Sequence, residues 1–163
     1  MGDKDWTEKE HLAFKTVMRH LWWAMATGAV PVPFLDMAAL MAVQLKMLSG
    51  ISKVYGVPFK ESRGKAFLGS LIGVIVPQSL SWGAFGTLLK LIPGLGALAG
   101  GPAMVIFSGA STYALGKVFI QHFSSGGTFL DFNPEQVRDY FRAQFEEGRK
   151  IVSRTEQKTE NPA

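Results

Sequence analysis

The residues able to do chemistry are few and scattered. His11, His20 and His122 stand far apart, with neither HExxH spacing nor carboxylates at metal-binding intervals, so no metal site is expected. Cysteine is absent, which removes disulfides and thiolate ligands. The serines and threonines have no base within a recognisable arrangement, and bonding back to helix carbonyls is their expected role. Gly94-Leu95-Gly96 with Gly100 and Gly101 has the look of a phosphate loop, but no GxxxxGK[ST] follows and no strand precedes it. The expectation is a protein that is not an enzyme and holds no cofactor. Asp36 is the one acid within an apolar run. It reads either as an intramembrane polar site or, following Pro33-Phe34-Leu35, as the cap of the next helix.

Charge is segregated along the chain. Charged residues make up 18% of the 163, below the roughly 25% usual for soluble domains. Ala66–Leu89 and Leu91–Gly116 contain none, and only Lys90 separates them. The net charge of +4 raises nucleic acid as a partner, yet Lys and Arg alternate with Glu and Asp in both terminal segments. No basic stripe forms, so nucleic acid is not expected. A mixed-charge segment precedes the first apolar run, unlike a signal peptide.

The elements that position these residues are all helical. A first helix starts at Asp5 or Thr7, both of which fit the capping-box pattern, and carries Phe14, Val17, Met18, Leu21, Trp22 and Met25 at helical spacing. Lys15, Arg19 and His20 lie off that stripe. Pro31 and Pro33 impose a turn, and a second helix runs from Met37 to about Tyr55. A third is expected from Ser62 or Lys65 to Leu91, kinked at Pro77, and a fourth from the Pro93-Gly94 turn to about His122. Ser124-Ser125-Gly126-Gly127 breaks the chain. A last amphipathic helix opens at Asn133-Pro134 and presents Val137, Tyr140, Phe141 and Phe145 as a docking stripe for a cytoplasmic partner.

The two hairpin tips, Val30–Leu35 and Leu91–Leu98, are as apolar as the helices they join, whereas loops of soluble bundles are polar. This predicts an all-α membrane protein. Its second hairpin spans the bilayer, its first is re-entrant or partly inserted, and an amphipathic helix follows. Residues 1–130 form the inserting domain, 131–154 the amphipathic helix and 155–163 a disordered tail. Pro31, Pro33, Pro93 and Gly94 mark the insertion tips. Lys46, Lys53, Lys60, Arg63 and Lys65 place the inter-hairpin loop and the termini in the cytoplasm, with a bacterial inner membrane as the location. Small residues Gly69 and Gly73, then Gly96, Gly100, Ser108, Thr112 and Gly116, provide close helix contacts, within one chain or between copies. Trp6, Trp22, Trp23 and Trp82 suit the interfaces; for Trp23 and Trp82 a core role is an equal alternative.

Val30-Pro31-Val32-Pro33-Phe34-Leu35-Asp36, Gln44-Leu45-Lys46-Met47, Tyr55-Gly56-Val57-Pro58-Phe59, Leu89-Lys90-Leu91-Ile92-Pro93-Gly94-Leu95-Gly96 and Thr112-Tyr113-Ala114-Leu115-Gly116-Lys117 together resemble the YcjF-like membrane domains of unknown function. The resemblance covers roughly residues 15–125. It implies a GTPase of the Era or dynamin-like type as a separate partner and supplies no catalytic residues. The expected function is a homo-oligomeric membrane anchor or remodelling module that docks such a partner. The alternatives are an oligomeric pore, with Asp36, the Gln78-Ser79-Ser81 cluster and Ser108, Ser111 and Thr112 lining a path, and a soluble helical protein that inserts conditionally.

Overall fold

The computed structural model describes residues 7–29, 35–75 and 95–160, with side-chain surroundings for 7–29, 38–75 and 104–158. The described residues form helices and contain no strand: α1 (Glu8–Gly28), α2 (Leu35–Tyr55), α3 (Glu61–Ile75), α4 (Leu95–Ser124) and α5 (Arg138–Glu160).

Local signals set most of the boundaries. Thr7, rather than Asp5, caps α1. The Glu10 N–H donates to its hydroxyl at 3.3 Å, and the Thr7 N–H donates to the Glu10 carboxylate at 2.8 Å, a complete capping box. α2 closes with Gly56 at φ 71°; the Val57 N–H donates to the Ser52 carbonyl at 2.8 Å and the Gly56 N–H to that of Lys53 at 3.2 Å. The same double bond closes α4 around Gly126, φ 86°, from Gly127 to His122 and from Gly126 to Phe123. Both are Schellman caps, which need a left-handed residue that glycine adopts without steric cost. The last helix begins later than expected, at Arg138. Asn133 spends its side-chain oxygen on the Glu135 N–H at 3.0 Å, closing a local turn in place of a helix cap. It also runs further, to Glu160, into the segment expected as a disordered tail.

α4 is the axis of the bundle. α1, α2, α3 and α5 all pack against it, and every residue from Ser108 to Gly116 is buried. The closest approaches use glycine. Gly116 lies against the Val17 side chain, Gly28 leaves only 2.8 Å between its missing Cβ and the Met104 carbonyl oxygen, and Gly148 abuts Ala110 at 3.0 Å. This explains a rotation of the α1 stripe from its expected position. Ala13, Val17, His20, Leu21, Ala24 and Gly28 face inward, because small residues let the backbones meet, while Trp22 is turned out. At the charged end, Phe119, Phe123, Phe129 and Phe132 pack with Phe67 and Phe59 into an aromatic cluster. The loop after α4 supplies two of these rings and is held by Thr128, whose N–H and hydroxyl both donate to Asp131 at 2.6 Å.

No described helix is long and apolar enough to cross a membrane. The spanning hairpin therefore finds no support here. Described α3 ends at Ile75, and residues 76–94, with the Pro77 kink, Lys90 and the Pro93-Gly94 tip, lie outside the described residues, as do Pro31 and Pro33. The apolarity that suggested α4 as a span has another use, since a helix apolar all round is satisfied by enclosure in protein.

Filling the α1–α4 contact is expected to be costly. Gly116→Leu should destabilise by about 2–3 kcal/mol through overpacking against Val17. Gly69→Ala, where a Cβ meets no atom within 4 Å, should stabilise by about 0.5–1 kcal/mol through helix propensity. Chemical denaturation of the two variants checks both signs.

Candidate functional site

Two features stand out, one buried and one exposed. The buried one joins α2 to α4. Gln44 is fully buried, and its Nε2 donates to Ser111 Oγ at 3.1 Å and to Thr112 Oγ1 at 3.2 Å. Ser111 Oγ in turn donates to the Ser108 carbonyl at 3.2 Å. Among the described residues, Gln44 Oε1 and Ser108 Oγ have no partner. Each orphaned group costs about 1–3 kcal/mol, so this knot specifies helix register more than it adds stability. Ser108 and Thr112, expected as packing residues or pore lining, thus meet Gln44 inside one chain. On α1, His20 is buried, and its Nδ1–H donates to the Thr16 carbonyl at 2.8 Å. Burial pushes the His20 pKa down; that bond opposes the shift, and the nearby charges of Arg19 and Lys46 add to it.

The exposed feature is at the end of the bundle toward which α1, α2, α3 and α4 lack charge. Trp22 is 54% exposed, Trp23 64% and Met41 40%, all within the stretches of α1 and α2 that lead toward the turn joining them. Two large adjacent aromatic side chains held in solvent by a rigid helix are the informative observation. Their exposure removes the core alternative for Trp23. Trp6 and Trp82 lie outside the described residues.

The remaining expected residues are distributed as follows. Gly69 and Gly73 are exposed on α3, and a Cβ at either would meet no atom of the described residues within 4 Å. Gly96 and Gly100 are on α4, before the part whose side chains are described. Asp36 is the second residue of α2, inside the first turn and not at the cap position, where a carboxylate still suits the helix dipole. The docking stripe is occupied within the chain. Phe141 is fully buried, and Val137, Tyr140 and Phe145 pack against the core. Phe145 meets Phe107, Val152 fits over Gly109 beside Met25, and the Tyr113 hydroxyl donates to the Glu147 carboxylate at 3.0 Å. Burial first, then that carboxylate, raises the Tyr113 pKa, so it stays a neutral donor. Among the described residues no group of His, Asp and Glu is placed to hold a metal.

Comparison with known proteins turns on one match. The family model described as "Domain of unknown function (DUF697)" covers residues 7–150. This chain belongs to the DUF697 family. It is also similar to "Magnetosome membrane protein 22" of Magnetospirillum gryphiswaldense, 36% identical over 140 residues, which is 86% of this chain and 72% of that protein. No solved structure matches.

In this DUF697 chain, sequence reasoning missed Gln44 and His20 as buried groups. Gln44 follows an apolar run, a weak signal. His20 had none, because the stripe that excluded it was drawn through large side chains instead of small ones. Gln44→Met is expected to leave stability within about 1 kcal/mol, since it removes an orphaned acceptor together with two bonds, one of whose hydroxyl partners, that of Ser111, already donates to a carbonyl. A loss of several kcal/mol in denaturation would show the knot to be better satisfied than these contacts indicate. For His20, the folded state resists protonation more than the unfolded one. Its contribution is therefore complete above 6.5, its ordinary pKa, and is lost as pH falls through the window below. Midpoints measured across that window should decline on acidification, and His20→Gln should flatten the decline.

Proposed function

We propose that this protein is a non-enzymatic membrane-associated module that brings the Trp22–Trp23 end of its helical bundle to a bilayer. The observation that carries this reading is the exposed Trp22–Trp23 pair, with Met41, at that end. Tryptophan is the residue of membrane interfaces, with an apolar ring and one N–H that must meet water or a headgroup. The name of the relative, a magnetosome membrane protein, supports the same direction. The finer parts of the reading belong here as well: a bacterial inner membrane with the termini in the cytoplasm, self-association through the small exposed face of α3 around Gly69 and Gly73, and recruitment of a GTPase of the kind the YcjF-like resemblance implies.

One observation favours a second reading, conditional insertion. α5 lies across α4 with Val152 over Gly109 and its charged residues outward. Carrying that level into hydrocarbon would take Arg149, Lys150 and Arg154 with it, at several kcal/mol each by simulation and less by insertion scales. A spanning state therefore requires α5 to leave α4, which would also free Phe141 and Phe145 for a partner.

Alkaline carbonate extraction of membranes containing the full chain separates these readings. Flotation with vesicles at neutral pH, reduced by Trp22→Ser with Trp23→Ser, together with release by alkaline carbonate, is the expected result for a tip-anchored module. Resistance to carbonate gained on Val152→Asp favours conditional insertion. An absence of membrane binding by either variant or parent, including in vesicle flotation at neutral pH, would sink the proposal.

A further inference from the structure

Four helices of the bundle lose their charge toward one end, and the tertiary structure shows where. Following α1 toward Gly28, the last charged residue is Arg19; following α3 toward Ile75, it is Lys65. Coming back along α2 after Asp36, the first is Lys46, and along α4 it is Lys117. All four are cations, and packing brings them to nearly one level. Arg19 and Lys46 both act on His20. Gly64, beside Lys65, backs onto Leu45, beside Lys46, at 2.9 Å. Gly116, beside Lys117, lies against Val17, and the Lys117 ammonium sits 5.8 Å over the Phe14 ring. Immediately beyond this level come Trp22, Trp23 and Met41, then the exposed Ala66, Gly69, Ser70 and Gly73 of α3.

We propose that Arg19, Lys46, Lys65 and Lys117 form a cationic collar that binds anionic phospholipid headgroups, with Trp22 and Trp23 at the interface just beyond it. The inference rests on the membrane reading above and adds to it a lipid class and a depth. The order along α1, α2, α3 and α4, cation, then aromatic or small residue, then no charge, is the order of a headgroup, an interface and a hydrocarbon layer, whereas α5 carries Lys150 and Arg154 past that level. Electrostatic complementarity fixes the occupant: the charge nearest the apolar end of each of these four helices is a cation, for which a neutral apolar partner gives no reason. Arg19 and Lys46 are exposed and dominate, whereas Lys65 shares its charge with Glu61 at 2.7 Å. The basic residues of α5 are the competing source of lipid contact, although Arg149 is engaged with Glu146 at 3.0 Å and Arg142 with Asp139 at 3.6 Å.

The test is flotation of the purified full chain with vesicles of phosphatidylcholine alone and of phosphatidylcholine mixed with phosphatidylglycerol. The collar predicts tighter binding to the mixed vesicles. At about five-fold per cation, Arg19→Gln with Lys46→Gln should lower that affinity roughly 25-fold while circular dichroism reports an unchanged helix content. Lys150→Gln with Arg154→Gln, the same loss of charge on α5, should leave it within about two-fold. An α5 pair that abolishes the preference while the collar pair keeps it overturns the proposal. So does equal binding of the parent chain to both vesicles, although that result leaves the membrane reading intact. Binding to neither fails both. If the collar variant does not fold, salt decides: high ionic strength should remove the preference of the unaltered chain, and persistence would overturn the collar.

Discussion

α4 carries no charged residue from Ser108 to Gly116 and is buried throughout that segment, and a helix of that kind must be enclosed by protein or by lipid. In this structure protein does most of it, with four helices arranged around one. The enclosure depends on close approach, and close approach depends on what is missing from the side chains. Gly28 and Gly116 let α1 lie against α4, and Gly109 and Gly148 let α5 do the same. A Cβ at any of these places would push a helix outward and open the axis to solvent. The rotation of α1 follows from this, because the face that carries Ala13, Ala24 and Gly28 must be the one turned inward. Trp22 and Trp23 are outside because the inner face is reserved for small residues.

The two ends of the bundle are built differently as a result. At one end, paired Schellman caps and the Thr128–Asp131 loop fold Phe129 and Phe132 into an aromatic cluster, with charged residues over the surface. That end has what a water-exposed domain needs. At the other end, the described surface has no charge on α1 after Arg19 or on α3 after Lys65, and it displays aromatic and small side chains instead. The polar knot of Gln44, Ser111 and Thr112 lies near the level where the two regimes meet. With an acceptor and a hydroxyl left unsatisfied, it adds little net stability, and its value lies in fixing how α2 seats on α4.

α5 connects these ends. Its amphipathic stripe is spent on α4, with Phe141 and Val152 fully buried, so the same residues cannot at once serve the core and an outside partner. The polar face of α5 also limits how far the neighbouring part of α4 can enter hydrocarbon without a rearrangement. On the proposed membrane reading, bilayer association and intramolecular packing compete for this one helix.

The sequence by itself determined the helices and most of their ends. Capping boxes, Gly-containing C-caps and prolines are local devices whose chemistry is complete within a few residues, and Thr7, Gly56 and Gly126 act as their types require. It determined the segregation of charge as well, since that is a property of order along the chain. It did not determine which face of α1 is buried, because periodicity read through large residues pointed to Trp22 where close packing favours Gly28. Nor could it tell whether the apolar α4 meets protein or lipid, because one transfer preference serves both. Only the tertiary structure decided that α4 is enclosed from Ser108 to Gly116, that the docking stripe of α5 is in use, and that Arg19, Lys46, Lys65 and Lys117, nearly 100 residues apart at the extremes, come to nearly one level. The reason is physical: burial and alignment are relations between helices, and no single helix carries them.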